Sequence, residues 1–559
     1  MAQVKEAWGS RVGLILAMAG NAVGLGNFLR FPVQAVQNGG GAFIIPYLVS
    51  FLLMGLPLLW IEWAQGRFGG IRGSHSTPFI FNSLSKKRIW KYVGVFGIFT
   101  NIGIVSYYTY IESWTLSYTF KSIAQSFNGL SPAQVSTAFD KYAGVHEAVA
   151  QNAVAINFPV WAIIAFIITL AINIYILSRG LSGGVELVAK IAMPLLLVFG
   201  AFLAFRAITL GATGVAGCAT CNSHLGLEFL WKPNLTSLSD PKVWLAAAGQ
   251  IFFTLSVGMG TIHCYASYVK KNDDIALNAM SAGWMNEFVE IVLGASIVIP
   301  IAVGYMGLDW VKHNAGFMMA FKTMPYLFSQ WGPLLSTLSG IAWFGLLFFA
   351  GITSSLAMGS PFMAFMEDEF NMGRRKAAII LGIVVFVLAV PTILFFQMGV
   401  FNEYDYWTGT VALVIFALAE IILFSWVIGI DEGWKEIKRG ADIKIPLIYK
   451  PIMKWITPLF IIVIFLSALI KPLEGSLGDW QLAFHQLLSH GTWPFATDSI
   501  VSQVFHLNQK WIWFNNGTPT VLFFKDMSRL LLTLTFVGLA VLVHIAAKRK
   551  RKNANLNES

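Results

Sequence analysis

The sequence predicts an all-α membrane protein with twelve transmembrane helices, two of which are unwound near their middle. Three observations lead to this prediction. Of the 559 residues, 56% are hydrophobic and 12% are charged, whereas a soluble protein carries about 25% charged residues. Apolar runs of about 20 residues, long enough to cross a bilayer as helices, recur along the whole chain. Two of these runs contain glycines and polar residues where lipid favours leucine.

The apolar runs give the expected spans in chain order. In the first half they lie near Leu14–Val36, Ala42–Ala64, Tyr92–Phe120, Phe158–Leu177, Ile191–Ile208 and Val243–Tyr265. In the second half they lie near Leu277–Tyr305, Leu334–Phe365, Ala378–Phe396, Trp407–Ile428, Ile452–Leu469 and Leu530–Ala547. The polar start of the chain runs directly into the first span, so we expect no cleavable signal peptide.

The basic residues predict the orientation in the membrane. Net charge is +10, and Lys and Arg concentrate in alternate connections and in the tail Lys548–Lys552. This asymmetry places both termini in the cytoplasm of a multi-pass protein of the cell (inner) membrane. The tail is expected to face anionic lipid of the bilayer, and no nucleic acid is expected as a partner. Cys218 and Cys221 in an outer loop favour a local disulfide, with free thiols as the alternative.

The first interrupted span contains the stretch Gly20–Pro32, which holds three glycines, two asparagines and an arginine. Each glycine weakens a helix by about 1 kcal/mol relative to alanine. Freed backbone groups at membrane depth are tolerated where protein, ligand or ions use them. This stretch therefore predicts a binding site for a small solute and cations.

The stretch Phe252–Gly260 interrupts the sixth span in the same way. The two breaks are five spans apart, so the two segments cross the membrane in opposite directions. This pattern predicts a 5+5 inverted-topology repeat with the site between the broken helices. We expect the first repeat at residues 1–210, an outer loop at 211–240, the second repeat at 241–430, and spans 11 and 12 with a long outer loop and the basic tail at 431–559.

The chemistry at the breaks indicates the ligand class. Half-helix N-termini favour an anion, while free carbonyls and the oxygens of Asn27, Thr254 and Ser256 suit a hard cation. Carboxylates are absent from these oxygens, which favours a monovalent ion. A substrate with both a carboxylate and an ammonium group fits such a site, and an amino acid is the simplest example. We find no nucleophile–base motif or nucleotide-binding loop, and the histidines do not cluster in the sequence, so an enzyme is not expected.

At these residues the chain resembles the neurotransmitter:sodium symporter family, and closely its bacterial amino-acid transporters. The matching strings are Gly20–Pro32, Asn38–Phe43, Trp60–Trp63, Tyr107–Trp114, Gly249–Ser256 and Phe348–Ser355. The resemblance implies the twelve-helix fold and sodium-coupled uptake with two Na⁺ ions. By position it implies a first sodium site at Ala22, Asn27, Thr254 and Asn286 with the substrate carboxylate, and a second at Gly20, Val23, Ala350, Thr353 and Ser354. For the hydroxyls, a hydrogen bond to the helix carbonyl four residues earlier is the alternative.

The resemblance also implies the substrate contacts. The carboxylate would meet the amides of Leu25 and Gly26 and the hydroxyl of Tyr108. The ammonium would lie near the residues of the two breaks, namely Asn21, Ala22, Phe253, Thr254 and Ser256. The side chain would lie among Ile104, Phe253, Met259, Ser354 and Met358, where two thioethers can repack around different shapes.

Charged residues would complete the transport cycle. Arg30 and Asp405 would close the outer path through water, with Phe253 and Tyr108 as the lid beneath them. Lys5, Trp8 and Asp368 would close the inner path, with Lys5 where the family has an arginine. Glu290 stands where chloride-dependent relatives have a small polar residue, which predicts chloride independence. Glu62, Glu112 and Glu420 are further intramembrane carboxylates whose functional and structural roles both stay open.

The leading prediction is a symporter that imports a hydrophobic L-amino acid, leucine-like or methionine-like, by alternating access. The same mechanism with an aromatic amino acid or glycine is the alternative. A channel is disfavoured by the apolar pocket with charged gates at both ends, and an intramembrane enzyme by the absent catalytic pair. The expected partners are the amino acid, sodium ions and the lipid bilayer, and the sequence leaves a homodimer open.

Overall fold

The computed structural model describes residues 6–145, 158–215, 218–472, 477–491, 493–507, 511–515 and 517–558, which are almost entirely helical. The first half contains short helices at the two breaks and long helices between them. Its helices are α1 (Arg11–Ala22), α2 (Gly26–Leu29), α3 (Phe31–Gln37), α4 (Gly41–Gly70), α5 (Thr77–Leu84), α6 (Trp90–Val93), α7 (Phe96–Ile123), α8 (Pro132–Ala143), α9 (Val160–Ser178), α10 (Leu181–Leu210), α11 (Ser223–Trp231), α12 (Pro241–Thr254) and α13 (Thr261–Ala266).

The second half continues with longer helices and one small hairpin. Its helices are α14 (Ile275–Met306), α15 (Leu308–Asn314), α16 (Met319–Lys322), α17 (Met324–Ser329), α18 (Pro333–Phe370), α19 (Arg374–Leu394), α20 (Val400–Lys438), α21 (Tyr449–Leu469), α22 (Leu477–His490), α23 (Ile500–Phe505) and α24 (Val521–Glu558). Several of the long helices, such as α4 and α14, contain a π-helical turn. The strands Phe514–Asn515 and Thr518–Pro519 pair antiparallel in the long outer segment before α24.

Nine helices in the described part of the chain are long and apolar enough to cross a membrane. They are α4, α9, α10, α14, α18, α19, α20, α21 and the segment Val521–Lys552 of α24. A tenth arises if Arg11–Ala22 and Gly26–Gln37, bent by 44° at their junction, form one broken span. The expected total of twelve spans therefore stays a prediction, as do the 5+5 repeat and the domain boundaries.

The two predicted breaks are present and lie against each other. The first separates α1 from α2 at residues 23–25, and the second separates α12 from α13 at residues 255–260. The hydroxyl of Ser256 donates to the backbone carbonyl of Asn21 at 2.9 Å, and the side-chain Nδ2 of Asn21 donates to Thr261 Oγ1 at 3.2 Å. In the second break Gly258 and Gly260 have φ values of +72° and +87°, which residues other than glycine rarely adopt.

The centre of the bundle is formed by α7 and α18, which pack along one another. Small residues allow this approach, since a Cβ on Gly351 would lie 3.0 Å from Glu112 Cγ. The small-residue stretch Gly351–Ser355 of α18 is buried throughout. Both central helices therefore present side chains to the space between the two breaks. At the outer side Cys218 and Cys221 form a disulfide, and Cys264 is a buried free thiol.

Candidate functional site

A small cavity lies between the two breaks and the central helices. The lining residues are Asn21, Ala22, Gly24, Gly26, Asn27, Ile104, Tyr108, Phe253, Thr254, Ser256, Met259, Ser354 and Met358. Of the predicted substrate contacts, Leu25 alone is outside this lining, and its backbone N–H points to Tyr108.

Polar groups at the first break contribute to the cavity lining, and some of them are backbone groups. The N–H of Leu25 donates to the hydroxyl of Tyr108 at 2.9 Å, where the first broken helix resumes. The close packing here requires glycine, because a Cβ on Gly24 would lie 2.8 Å from that hydroxyl and one on Gly26 would lie 2.5 Å from the Phe253 ring. Sequence reasoning did not assign Gly24 to the lining, although its place in the glycine-rich break was a signal for it.

The cavity also has apolar lining residues. Ile104, Met259 and Met358 contribute to it and are 1–3% exposed. The position of Met259 is held by its own carbonyl, which accepts from Asn101 Nδ2 at 2.6 Å. An unpaired charge next to these side chains would lose its hydration without compensation.

Three of the four residues predicted for the first sodium site come together from three different helices, and the fourth, Ala22, lines the cavity. Asn27 Nδ2 donates to Asn286 Oδ1 at 2.8 Å, and Asn286 Nδ2 donates to Thr254 Oγ1 at 3.1 Å. The N–H of Gly24 donates to Asn27 Oδ1 at 2.8 Å. All these side chains are at most 2% exposed. Amide, hydroxyl and nearby backbone oxygens of this kind are ligands for a hard cation.

The residues predicted for the second sodium site also lie together, between the end of α1 and the middle of α18. Ser354 Oγ donates to the carbonyl of Gly20 at 3.1 Å, and a Cβ on Gly20 would lie 2.8 Å from Thr353 Cβ. Thr353 Oγ1 donates to the carbonyls of Phe349 at 2.9 Å and Ala350 at 3.2 Å. The helix-carbonyl bond that was the structural alternative for Thr353 is thus present, and Val23, just after α1, has non-helical backbone with ψ of 92°.

Glu290 lies beside the first sodium set and is surrounded by donors. Gln250 Nε2 donates to its Oε1 at 2.5 Å, and Thr254 Oγ1 donates to its Oε2 at 2.7 Å. The hydroxyl of Tyr47 donates to the same oxygen in a short hydrogen bond. The carboxyl group of Glu290 is fully buried among these partners and lies next to the predicted cation ligands.

On the side that the predicted orientation places outside, Phe253 and Tyr108 line both the central cavity and a second cavity, the outer cavity. The guanidinium of Arg30 lies 4.3 Å from the centre of the Phe253 ring, and Asp405 Oδ1 accepts from Tyr107 at 2.7 Å. Arg30 and Asp405 both line the outer cavity, and within the described residues they form no direct ion pair of 4.0 Å or less.

At the inner side, Trp8 closes against the end of α13. Its indole N–H donates to the carbonyl of Tyr265 at 3.0 Å, and the two rings meet edge to face at 5.1 Å. Asp368 Oδ2 accepts from the N–H of His75 at 3.0 Å and lines an inner cavity with Arg374. Lys5, the predicted partner in this gate, lies outside the described residues.

One histidine lies in a cluster with two carboxyl groups that sequence reasoning did not predict. A ring nitrogen of His263 and oxygens of Glu62 and Glu420 lie within 4.8 Å of one another. The three residues are far apart in the chain, on α13, α4 and α20, so their spacing carried no signal.

Comparison with known proteins agrees with this architecture. The model of the sodium:neurotransmitter symporter family matches residues 5–155 and 131–512. The chain belongs to this family. It is therefore a sodium-dependent membrane symporter and not an enzyme.

The alignments with individual relatives cover most of each relative's length. An uncharacterised sodium-dependent transporter of Methanocaldococcus jannaschii is 31% identical over 479 residues, covering 83% of this chain and 90% of the relative. The sodium-dependent serotonin transporter of Drosophila melanogaster is 24% identical over 507 residues, covering 84% and 77%. The crystal structure of MhsT in complex with L-phenylalanine superposes with a TM-score of 0.71 at 28% identity, covering 83% of this chain and 99% of MhsT.

Proposed function

We propose that this symporter imports a hydrophobic L-amino acid, leucine-like or methionine-like, together with two sodium ions. The observation that carries this proposal is the mixed lining of the central cavity. The Leu25 N–H meets the hydroxyl of Tyr108, a lining residue, and Ile104, Met259 and Met358 contribute apolar side chains to the lining. An amino acid would present its carboxylate to the polar groups and an apolar side chain to the others.

The contacts support the roles of the individual residues. The amides of Leu25 and Gly26 and the Tyr108 hydroxyl would receive the carboxylate. The ammonium would lie among the break residues Asn21, Ala22, Phe253, Thr254 and Ser256, where carbonyls are free of regular helix bonds. Ser354 lies at the junction of the cavity and the second sodium set.

The two sodium ions would bind to two sets of residues that include backbone at the first break. The first set is Ala22, Asn27, Thr254 and Asn286 with the substrate carboxylate. The second is Gly20, Val23, Ala350, Thr353 and Ser354. Because both sets share backbone of the same break with the substrate, ion binding and substrate binding would stabilise the same conformation of that break.

Chloride independence is part of the proposal. Glu290 accepts hydrogen bonds from Tyr47, Gln250 and Thr254 and so supplies the negative charge that a bound anion would otherwise provide. The proposed arrangement in the cell membrane has twelve spans, a 5+5 inverted repeat and both termini in the cytoplasm. A homodimer stays an open expectation.

An aromatic amino acid is the second candidate substrate. MhsT, whose structure superposes on this chain, is described in complex with L-phenylalanine. The flexible side chains of Met259 and Met358 can make room for a ring.

The deciding experiment is uptake of radiolabelled L-leucine into proteoliposomes that contain the purified protein. We expect uptake with an inward sodium gradient, no uptake with potassium in its place, and equal uptake in chloride and gluconate. Unlabelled Leu, Met and Phe should compete, whereas Asp, Glu, Lys and Arg should not, because a buried unpaired charge is costly. Strong competition by glutamate would contradict an apolar pocket.

A further inference from the structure

His263, Glu62 and Glu420 form a fully buried cluster that the transport site described above does not use. Each side chain is 0% exposed. His263 Nδ1 lies 3.2 Å from Glu62 Oε2, and His263 Nε2 lies 3.9 Å from Glu420 Oε2. The rings of Phe81 and Phe416 lie against the imidazole at 5.7 and 5.9 Å between centroids. The cluster is therefore a group of buried polar side chains with aromatic rings packed against it.

The charges of this cluster cannot be balanced by basic side chains. Within the described part of the chain, no Lys or Arg lies within 4.0 Å of either carboxylate, so the ionisable groups that face His263 are Glu62 from α4 and Glu420 from α20. Among the described residues, four atoms of the cluster have no hydrogen-bond partner outside the cluster: Glu62 Oε2, His263 Nδ1 and both carboxylate oxygens of Glu420. Two ionised carboxylates without compensation are strongly disfavoured in such surroundings.

The imidazole is positioned to hold a compensating proton. His263 Nε2 lies 2.7 Å from Gln65 Oε1, and Gln65 Nε2 donates to the carbonyl of Glu420 at 2.9 Å. The amide oxygen of Gln65 can only accept, so Nε2 carries a hydrogen. A further proton therefore goes between Nδ1 and Glu62 Oε2, or onto Glu420.

The cluster is connected to the central cavity through the second break. The other oxygen of Glu62, Oε1, accepts from the N–H of Gly258 at 2.6 Å. The next residue is Met259, whose side chain lines the cavity and whose carbonyl accepts from Asn101. The charge of Glu62 thus acts on the backbone that positions a wall of the pocket.

We propose that the His263–Glu62–Glu420 cluster is a proton-binding site whose occupancy is coupled to substrate binding through Gly258. This inference rests on the proposed function for its substrate. With the proton present, the imidazolium stabilises ionised Glu62. Glu62 in turn accepts the hydrogen bond from the Gly258 N–H, which positions the adjacent pocket wall. When the proton leaves to bulk water, the cluster gains uncompensated negative charge, and the hydrogen bond between Gly258 and Glu62 no longer positions the wall as well. Substrate affinity should therefore fall as pH rises, and by reciprocity substrate binding should take up protons.

The first test measures L-leucine binding to the full-length protein at saturating sodium between pH 6 and 9. We expect the parent affinity to fall about fivefold or more across this range, the lower end of ordinary coupling between sites. His263→Gln should abolish most of that dependence. His224→Gln is the matched control, because His224 is exposed at the start of α11 and its Nε2 lies 3.1 Å from the Ile208 carbonyl oxygen. Equal pH dependence in the parent and His263→Gln overturns the proposal.

A second test needs no substrate, so its result does not depend on whether the proposed function is correct. Infrared spectra of the parent should be recorded at pH 6 and pH 9 and should contain the C=O band of a buried carboxylic acid. Compared with the parent, this band should change in Glu420→Gln and in His263→Gln but not in His224→Gln. Spectra identical to the parent in both cluster variants overturn the proposal, even if leucine is not a substrate. An effect of EDTA on the parent spectrum overturns it in favour of a bound metal ion. Leucine binding without pH dependence contradicts the coupling and leaves the proposed function intact.

Discussion

The hydroxyl of Tyr108 accepts a hydrogen bond from the backbone N–H of Leu25 at 2.9 Å, at the point where the first broken helix resumes. This contact joins the central helix α7 to the half-helix N-terminus that is expected to receive the substrate carboxylate. The same two residues line the outer cavity, so they lie at the boundary between the pocket and the outer path.

Removal of this hydroxyl should weaken substrate binding. Tyr108→Phe deletes a group that would donate to a charged carboxylate, and such a hydrogen bond is worth about 1.5–3 kcal/mol. We expect leucine affinity to fall about 10- to 100-fold in an equilibrium binding assay. Tyr110→Phe is the control, since Tyr110 is buried on the same helix and does not line the cavity. Equal losses in both variants would indicate a general effect of phenol removal.

The second sodium set can be tested with Thr353→Val combined with Ser354→Ala. The double variant removes two hydroxyls at similar volume near the carbonyl of Gly20. Sodium affinity, read from the sodium dependence of leucine binding, should fall at least about tenfold, which corresponds to roughly 1.4 kcal/mol. Ser355→Ala is the control, because Ser355 donates to Asn173 at 2.7 Å. An unchanged sodium dependence in the double variant would show that these hydroxyls do not bind sodium.

Glu290→Ser should make transport respond to chloride. The substitution leaves the donors of Tyr47, Gln250 and Thr254 without an anion, and a buried unsatisfied group costs about 1–3 kcal/mol. Uptake in gluconate should be strongly reduced and should recover when chloride replaces gluconate. Glu112→Gln, which changes another buried carboxyl that accepts from Asn173, should show no chloride response. Loss of transport that chloride does not restore would contradict the charge-supplying role of Glu290.

The inner gate is expected to depend on Trp8. Trp8→Ala removes the hydrogen bond to Tyr265 and the edge-to-face contact, and aromatic pairs of this kind contribute about 0.5–1.5 kcal/mol beyond burial. Population should shift towards an inward-open state. The measurement is thiol labelling of Ser360→Cys, a position that is 3% exposed, in a protein without Cys218, Cys221 and Cys264. Labelling should increase in Trp8→Ala and much less in Trp8→Phe. Unchanged labelling in Trp8→Ala would show that Trp8 does not close this path.

The sequence by itself determined the membrane class and the two breaks, and it favoured the local pairing of Cys218 with Cys221 over free thiols. These features depend on neighbouring residues, because apolar runs, glycine-rich stretches and short cysteine spacing act within a few turns of chain. The pocket residues on distant helices, such as Ile104 and Met358, were reached through the family resemblance, since no local pattern distinguishes them from packing residues.

Only the tertiary structure decided which side chains meet across the bundle. It brings His263 to Glu62 and Glu420, places Gly258 against Glu62, and surrounds Glu290 with three donors from two other helices. It also shows that Thr353 uses its hydroxyl within its own helix. Contacts of this kind depend on the rotation and close approach of helices that are far apart in the chain. Helix periodicity indicates which face of a helix is apolar, but a fully buried helix has no polar face to orient it.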